Sequence, residues 1–131
     1  MMKLTVKTQK REELCDITSE VQKVVDGSGM GDGICYVYIP HTTAAVAVQE
    51  GDDSAVGRDI MAHLRRLFPR DAQYEHNDGN MDAHLKAILV GNAATVLIDK
   101  GKLCLGTWQS VFLCEFDGPR TREVWVKVRA G

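Results

Sequence analysis

The chain has 131 residues, of which 44% are hydrophobic and 26% charged, and its net charge is −2. That length fits a single domain spanning residues 1–131, burying roughly 65–70% of its unfolded surface, enough for one core without covalent staples. A charge so near zero sets up no long-range field for nucleic acid or anionic membrane, so neither is expected as a partner. Local basic spots remain at Arg65-Arg66 and at Arg120 and Arg122.

Met1-Met-Lys-Leu-Thr-Val-Lys7 lacks the apolar stretch of a secretory signal, and no apolar run approaches the roughly 18 residues of a membrane span. Cys15, Cys35, Cys104 and Cys114 are scattered, with no Cys-x-x-Cys pair. They are expected as buried, reduced thiols in a cytoplasmic protein.

Residues 3–8 alternate and predict a strand. Thr18-Ser19-Glu20 then opens a short helix with Val21, Val24 and Val25 on one face. The stretch Asp26-Gly-Ser-Gly-Met-Gly-Asp-Gly33 has four glycines but lacks the Gly-Lys-Ser/Thr ending of a phosphate loop. It reads as a connection before a strand. Residues 34–39 and 43–49 predict strands joined at Pro40-His41-Thr42. The strongest helix spans 53–68, with Val56, Ile60, Leu64 and Leu67 on one stripe, Asp52 or Asp53 as its cap and Pro69 as its stop. A second helix runs over 81–90, capped by Asn80 and ended by Gly91. Strands follow at 94–99, 102–116 and 123–129, with a hairpin turn at Lys100-Gly101. Strands in adjacent groups with helices between them indicate an α+β fold with antiparallel pairing.

His84 lies about 40° from Ile88 on the edge of the apolar stripe Met81, Leu85, Ile88 and Leu89. A boundary histidine bonding a neighbour and a site histidine both fit that position. Asn80 stands one turn earlier, and His76 precedes it in a turn-rich stretch. His41 sits at a strand connection, where rigid elements hold side chains in reach of solvent. Thr42 and Thr43 beside it add hydroxyls able to bind phosphate oxygens or to orient an imidazole. On the long helix, Asp52, Asp59 and His63 form a polar seam, either part of a network or a solvated edge. In residues 106–117, Trp108, Phe112 and Phe116 share one face with Ser110 and Cys114 and are expected in the core. Thr107, Gln109, Glu115 and Asp117 share the other face with Val111 and Leu113. Gln109 and Glu115 stand six residues apart, about 20 Å along an extended strand, too far for both to touch one small ligand. A bulge, two separate sites, or a neighbouring subunit resolves this. No serine or cysteine sits in a nucleophile motif, and no His-Glu-x-x-His occurs.

His41-Thr-Thr-Ala-Ala, Glu50, Gly79-Asn-Met-Asp-Ala-His84-Leu-Lys-Ala with Gly91, and Gly101-Lys-Leu-Cys-Leu-Gly-Thr-Trp-Gln109 with Glu115-Phe-Asp117 together resemble the YjbQ-like family. The resemblance covers about residues 34–129. It implies an α+β sandwich of antiparallel strands with flanking helices, assembled as a homotrimer. It also implies secondary thiamine-phosphate synthase activity, which joins a hydroxymethylpyrimidine pyrophosphate to a thiazole phosphate and releases pyrophosphate. The family's polar positions map onto His41, Thr42, Glu50, Asp59, Asn80, His84, Thr107, Gln109 and Glu115, and more loosely onto His76. Gln49-Glu-Gly51 and Gly79-Asn80 depart from patterns richer in amides and carboxylates.

On that resemblance the substrate is a phosphorylated small molecule, whose leaving group must be neutralised by Mg²⁺, Lys/Arg or backbone amides. Lys86, Arg120 and Arg122, with Thr42, Thr43 and Thr107, are the expected phosphate partners. Glu50 and Asp52 are candidate Mg²⁺ ligands. His41 and His84 are expected to donate to phosphate or to act as acid and base, with Glu50, Asn80 and Gln109 beside them. Two other readings stand. One is a hydrolase with zinc held by His41, His76 and His84. The other is a ligand-binding or assembly module without turnover.

Overall fold

Runs rich in valine, isoleucine and alanine form strands that mostly bury one face, with one central strand buried on both, and the architecture follows from where those faces go. The computed structural model describes residues 1–131. In chain order the elements are β1 (Met2–Lys7), β2 (Glu13–Asp16), α1 (Thr18–Ser28), β3 (Gly33–Tyr38), β4 (Ala44–Glu50), α2 (Ser54–Leu67), α3 (Met81–Val90), β5 (Ala93–Asp99), β6 (Lys102–Leu103), β7 (Gln109–Glu115) and β8 (Thr121–Ala130). One sheet has the order β1-β8-β3-β5-β6 and the other β2-β7-β4, and every neighbouring pair is antiparallel.

The sheets pack face to face. Val46, Val111 and Leu113 of the smaller meet Cys35, Val37, Val96, Ile98, Val124 and Val126 of the larger, and α1 adds Val21 and Val25. The other face of the smaller sheet carries Ala45, Phe112, Cys114 and Phe116, which pack against Met61 of α2 and Ala83 and Ala87 of α3. The result is an α+β sandwich of two antiparallel sheets with flanking helices. No helix is long and apolar enough to cross a membrane.

Several expectations need correction. The run 102–116 is not one strand. The chain leaves β6 at Leu103 and re-enters the other sheet at Gln109. Trp108 therefore lies outside β7 and is exposed rather than in the core. β7 is central in its sheet and buried on both faces from Val111 to Glu115, so its alternation did not separate inside from outside. The short strand β2 was not anticipated, and α1 continues through Asp26-Gly27-Ser28 into the glycine-rich stretch. Cys35 and Cys114 are buried, but Cys15 is half-buried and Cys104 exposed. Asp53 does cap α2, accepting the Ala55 N–H at 2.9 Å. Asn80 precedes α3 without capping it through its side chain.

The largest difference concerns α3. Its buried residues are Asp82, Ala83, Lys86 and Ala87, while Ile88 is 82% exposed and Leu89 58%. The helix turns its charged pair inward because partners wait there. Lys86 Nζ reaches Asp82 at 2.8 Å and Glu12 at 2.7 Å, and Arg11 forks onto the Asp82 carboxylate at 3.1 and 3.2 Å. A buried charge is tolerated only when it is paired and hydrogen-bonded in this way.

Candidate functional site

Inverting α3 leaves Met81, Leu85 and Ile88 as one wall of an open hollow of about 480 Å³. That volume falls in the range of small-molecule sites. The opposite side is the link from β3 to β4, which carries His41, Thr42 and Ala44; His84 of α3 and Asn92 complete the polar lining. Gly91 makes the corner possible. At φ 101° it adopts backbone that side chains disfavour, and its carbonyl accepts the Val46 N–H at 3.0 Å. The Asn92 carbonyl accepts the Ile39 N–H at 2.8 Å, so the end of α3 is tied to both flanking strands.

His41 accepts the backbone N–H of Glu123 on Nε2 at 3.0 Å. Burial, and then the positive charge of Arg122, holds its pKa below the usual histidine value. His84 is half-buried, and its ring meets that of His76 edge-on with centroids 5.2 Å apart. His76 Nε2 lies 2.9 Å from Asn80 Oδ1, and Asn80 Nδ2 donates to Asp117 Oδ2 at 2.8 Å. Arg120 Nη2 donates to the same Asp117 oxygen at 3.0 Å. A line of contacts thus runs from His84 through His76, Asn80 and Asp117 to Arg120.

Behind His41 lies a buried clamp. Arg122 Nε donates to Glu115 Oε1 at 2.9 Å, and its Nη2 donates to Thr43 Oγ1 at 2.9 Å. The Thr8 hydroxyl donates to Glu115 Oε1 at 2.8 Å. Four segments from both sheets meet here, and the clamp fixes Arg122 immediately before Glu123, the partner of His41. Burial alone pushes the Glu115 carboxyl up. Its bonds from Arg122, the Asp117 N–H and Thr8 outweigh that and hold it below the usual carboxylate range. Asp82 behaves alike, with burial opposed and outweighed by Arg11 and Lys86.

These directions set the acid response. Glu115 and Asp82 bind protons less readily when folded, so their contribution is fully present above the unfolded carboxylate values and lost as pH falls through the folded ones. His41 is depressed too, so its contribution is present above about pH 6.5 and lost as pH falls toward its folded value. Urea midpoints are expected to decline first just below about pH 6.5 and then more steeply below about pH 4. His41→Asn should remove the first decline alone, and an unchanged profile in that variant would contradict the assignment.

The sequence-predicted residues divide into three groups. His41, Thr42 and His84 line the hollow, with His76 and Asn80 adjoining it. Glu50, Gln109 and Thr107 do not join them. β4 pairs with β7 so that Ala44 faces Glu115 while Glu50 faces Gln109, placing that trio about 20 Å away at the far strand ends. There Gln109 Oε1 accepts the Gly106 N–H and Glu50 Oε2 accepts the Asp52 N–H. Gly51 is required beside them, since a Cβ would lie 2.0 Å from Ser110 Oγ.

In the third group the phosphate-partner expectation is corrected at three residues. Lys86, Arg122 and Thr43 are buried and engaged, so they are not available to phosphate. Arg120 is exposed but paired with Asp117. Glu115 balances Arg122 rather than facing the hollow. Asp52, Asp59 and His63 form the solvated edge of α2. Asn92 was missed, although its place directly after the helix-ending Gly91 was a usable signal.

The donors do not fit a three-histidine zinc site within one chain. His41 Nε2 already accepts an N–H. Asn80 donates to a carboxylate, so its Oδ1 accepts and His76 Nε2 must carry a proton. No three His, Cys, Asp or Glu side chains converge as a metal set. Burial pushes the thiols of Cys15 and Cys114 up to about 12 and that of Cys35 to about 11, which disfavours thiolate chemistry there.

Comparison with known proteins places the chain. The family model described as UPF0047 protein YjbQ-like matches residues 2–131. A UPF0047 protein of Methanocaldococcus jannaschii is 46% identical over 128 residues, covering 98% of this chain and 93% of that one. YugU of Bacillus subtilis, also a UPF0047 protein, is 40% identical, with 95% and 96% covered. A crystal structure of an uncharacterized YjbQ/UPF0047 family protein from Clostridium acetobutylicum superposes with a TM-score of 0.97 at 44% identity, covering 98% of this chain and all of that one. A protein of unknown function from Sulfolobus solfataricus superposes at 0.94 with 34% identity, covering 99% and 96%. With the fold, the motif blocks and full-length relatives in agreement, the chain belongs to the YjbQ-like UPF0047 family.

Proposed function

We propose that the chain is a small-molecule enzyme of thiamine-phosphate synthase type, acting on a phosphorylated heterocycle in the hollow between His41 and His84. The observation that carries this reading is the hollow itself, where two imidazoles, a hydroxyl and an amide face an apolar wall. Met81, Leu85 and Ile88 suit the flat face of a pyrimidine or thiazole ring. Thr42, Asn92 and the histidines suit phosphate oxygens. In the reaction the bond from the pyrimidine methylene carbon to the pyrophosphate oxygen breaks, and a bond from the thiazole nitrogen to that carbon forms. Pyrophosphate leaves with the electron pair of the broken bond, its leaving oxygen taking a proton from His84 as general acid.

Since Lys86 and Arg122 are engaged elsewhere, the charge of the leaving group is balanced in this reading by Mg²⁺ arriving with the substrate. EDTA is accordingly expected to abolish turnover. The free thiols suit a cytoplasmic setting.

The reading includes a homotrimer in which a neighbouring copy brings Glu50 and Gln109 to the hollow. Its supports are the length of β4 and β7 and the exposure of Ile88 and Leu89 beside the site. Large apolar side chains grouped at a surface mark interfaces more often than open solvent.

Thermal shift with hydroxymethylpyrimidine pyrophosphate and thiazole phosphate, each with Mg²⁺, tests the reading. A ligand at 100 times its dissociation constant adds roughly 2.7 kcal/mol of stability. Formation of thiamine phosphate in the same mixture is expected. Mixing His84→Ala protein with Gln109→Ala protein should restore activity that neither has alone. A monomeric mass by light scattering, or no restoration on mixing, contradicts the shared site, and silence toward both compounds contradicts the function.

A further inference from the structure

The hydrogen bond between Glu123 and His41 fixes more than a position. A backbone amide only donates, so Nε2 must present its lone pair, and the proton of the neutral ring sits on Nδ1. Nδ1 has no partner in the protein, yet it is not a buried orphan, since Arg11 Nε is the one buried side-chain nitrogen or oxygen without a partner. It therefore meets solvent, on a ring that lines the hollow. The amide cannot readily turn away. Glu123 lies near the start of β8, registered opposite Thr5 of β1, and its neighbour Arg122 is held by Glu115 and Thr43.

We infer that His41 serves the hollow as a fixed Nδ1–H donor to a ligand oxygen, with the Glu123 backbone as its positioning group, and that it is neither a base nor an Nε2 metal ligand. The donor role rests on reading the hollow as a site for phosphorylated ligands; the tautomer does not. His76 holds the opposite arrangement, with the proton on Nε2 toward Asn80. Donation of a proton to the leaving pyrophosphate oxygen then falls to His84. An imidazole pinned as a donor resembles the neutral amide and hydroxyl donors that stabilise developing negative charge without reorganising.

The test is a long-range ¹H–¹⁵N imidazole spectrum of the full chain, free and with inorganic pyrophosphate and Mg²⁺. His41 is expected as the Nδ1–H tautomer in both, with its Nδ1 resonance moved by pyrophosphate. Two variants separate the nitrogens. In His41→Asn the amide nitrogen stands near the place of Nδ1 but loses the Glu123 bond, so binding should weaken, though by less than in the glutamine variant. In His41→Gln the amide oxygen can take the Glu123 N–H but leaves no donor at Nδ1, so pyrophosphate should bind roughly tenfold to a hundredfold more weakly. An Nε2–H or averaging tautomer overturns the inference, as does wild-type binding by His41→Gln. If one variant fails to fold, the wild-type spectrum still decides the tautomer. Nδ1–H His41 with no pyrophosphate binding at all would remove the proposed function and the donor role together. Normal binding with an Nε2–H ring would remove this inference alone.

Discussion

His84→Ala is expected to eliminate turnover, by about 10²- to 10⁴-fold if the imidazole transfers a proton, while the protein melts within a few degrees of wild type. The helix carrying His84 is anchored by its other face, through Ala83 and Ala87 in the core and through Asp82 and Lys86 in their charge network. The His84 ring itself is half-buried and touches His76 edge-on. Removing it opens no closed cavity and orphans no buried charge, so the mechanisms behind large stability losses do not apply. The two measurements are steady-state kinetics with the phosphorylated pyrimidine and thiazole, and a melting curve. A variant that aggregates or melts far below wild type would mean that His84 is a packing residue.

Glu115→Ala should do the reverse, lowering stability by about 3–5 kcal/mol, because it strands the buried Arg122 guanidinium. For a chain of this length that is a fall of roughly 10–20 °C in melting temperature. Glu115→Leu combined with Arg122→Met should recover much of the loss, since removing both charges avoids the unpaired state, though Thr43 Oγ1 would still lose its donor. Arg120→Ala breaks only an exposed pair with Asp117 and should cost less than about 1 kcal/mol. If Glu115→Ala and Arg120→Ala were equally mild, the clamp beneath His41 would not hold the two sheets together as described.

Local signals were legible wherever a single segment carried them. Asp53 and Pro69 bounded α2, and Gly91 ended α3, because caps and stops act through backbone geometry near in sequence. The burial of α3 was not legible. Its hydrophobic stripe pointed one way, and what reversed it was Arg11 and Glu12, which lie 71 and 74 residues before the Asp82 and Lys86 they contact. Contacts made only on folding likewise misplaced Lys86 and Arg122 among the phosphate partners. Lys86 looks free until the turn of its own helix and Glu12 are seen to close on it, and Arg122 until the chain folds back to put Glu115, seven residues earlier, against it. In β7 the difficulty was different, because two cores cover its two faces and alternation loses its meaning.

Within the site, His41 and His84 were legible as a histidine at a strand connection and one on a helix edge, and the structure brings both to one hollow. Glu50 and Gln109, expected at the same site, stand at the other ends of their strands, as the spacing between Gln109 and Glu115 required. Asn92 had only the signal of following Gly91, and Asp117 gained its place through a contact made in three dimensions.

The most direct measurement is a crystal structure of the protein with hydroxymethylpyrimidine pyrophosphate and Mg²⁺. Density is predicted between the two imidazoles, with the ring on Met81 and Leu85, phosphate oxygens near His41 Nδ1, and Glu50 and Gln109 entering from an adjacent copy. A hollow plugged by a neighbouring molecule's side chains, or ligand bound at some unrelated surface, would contradict the account.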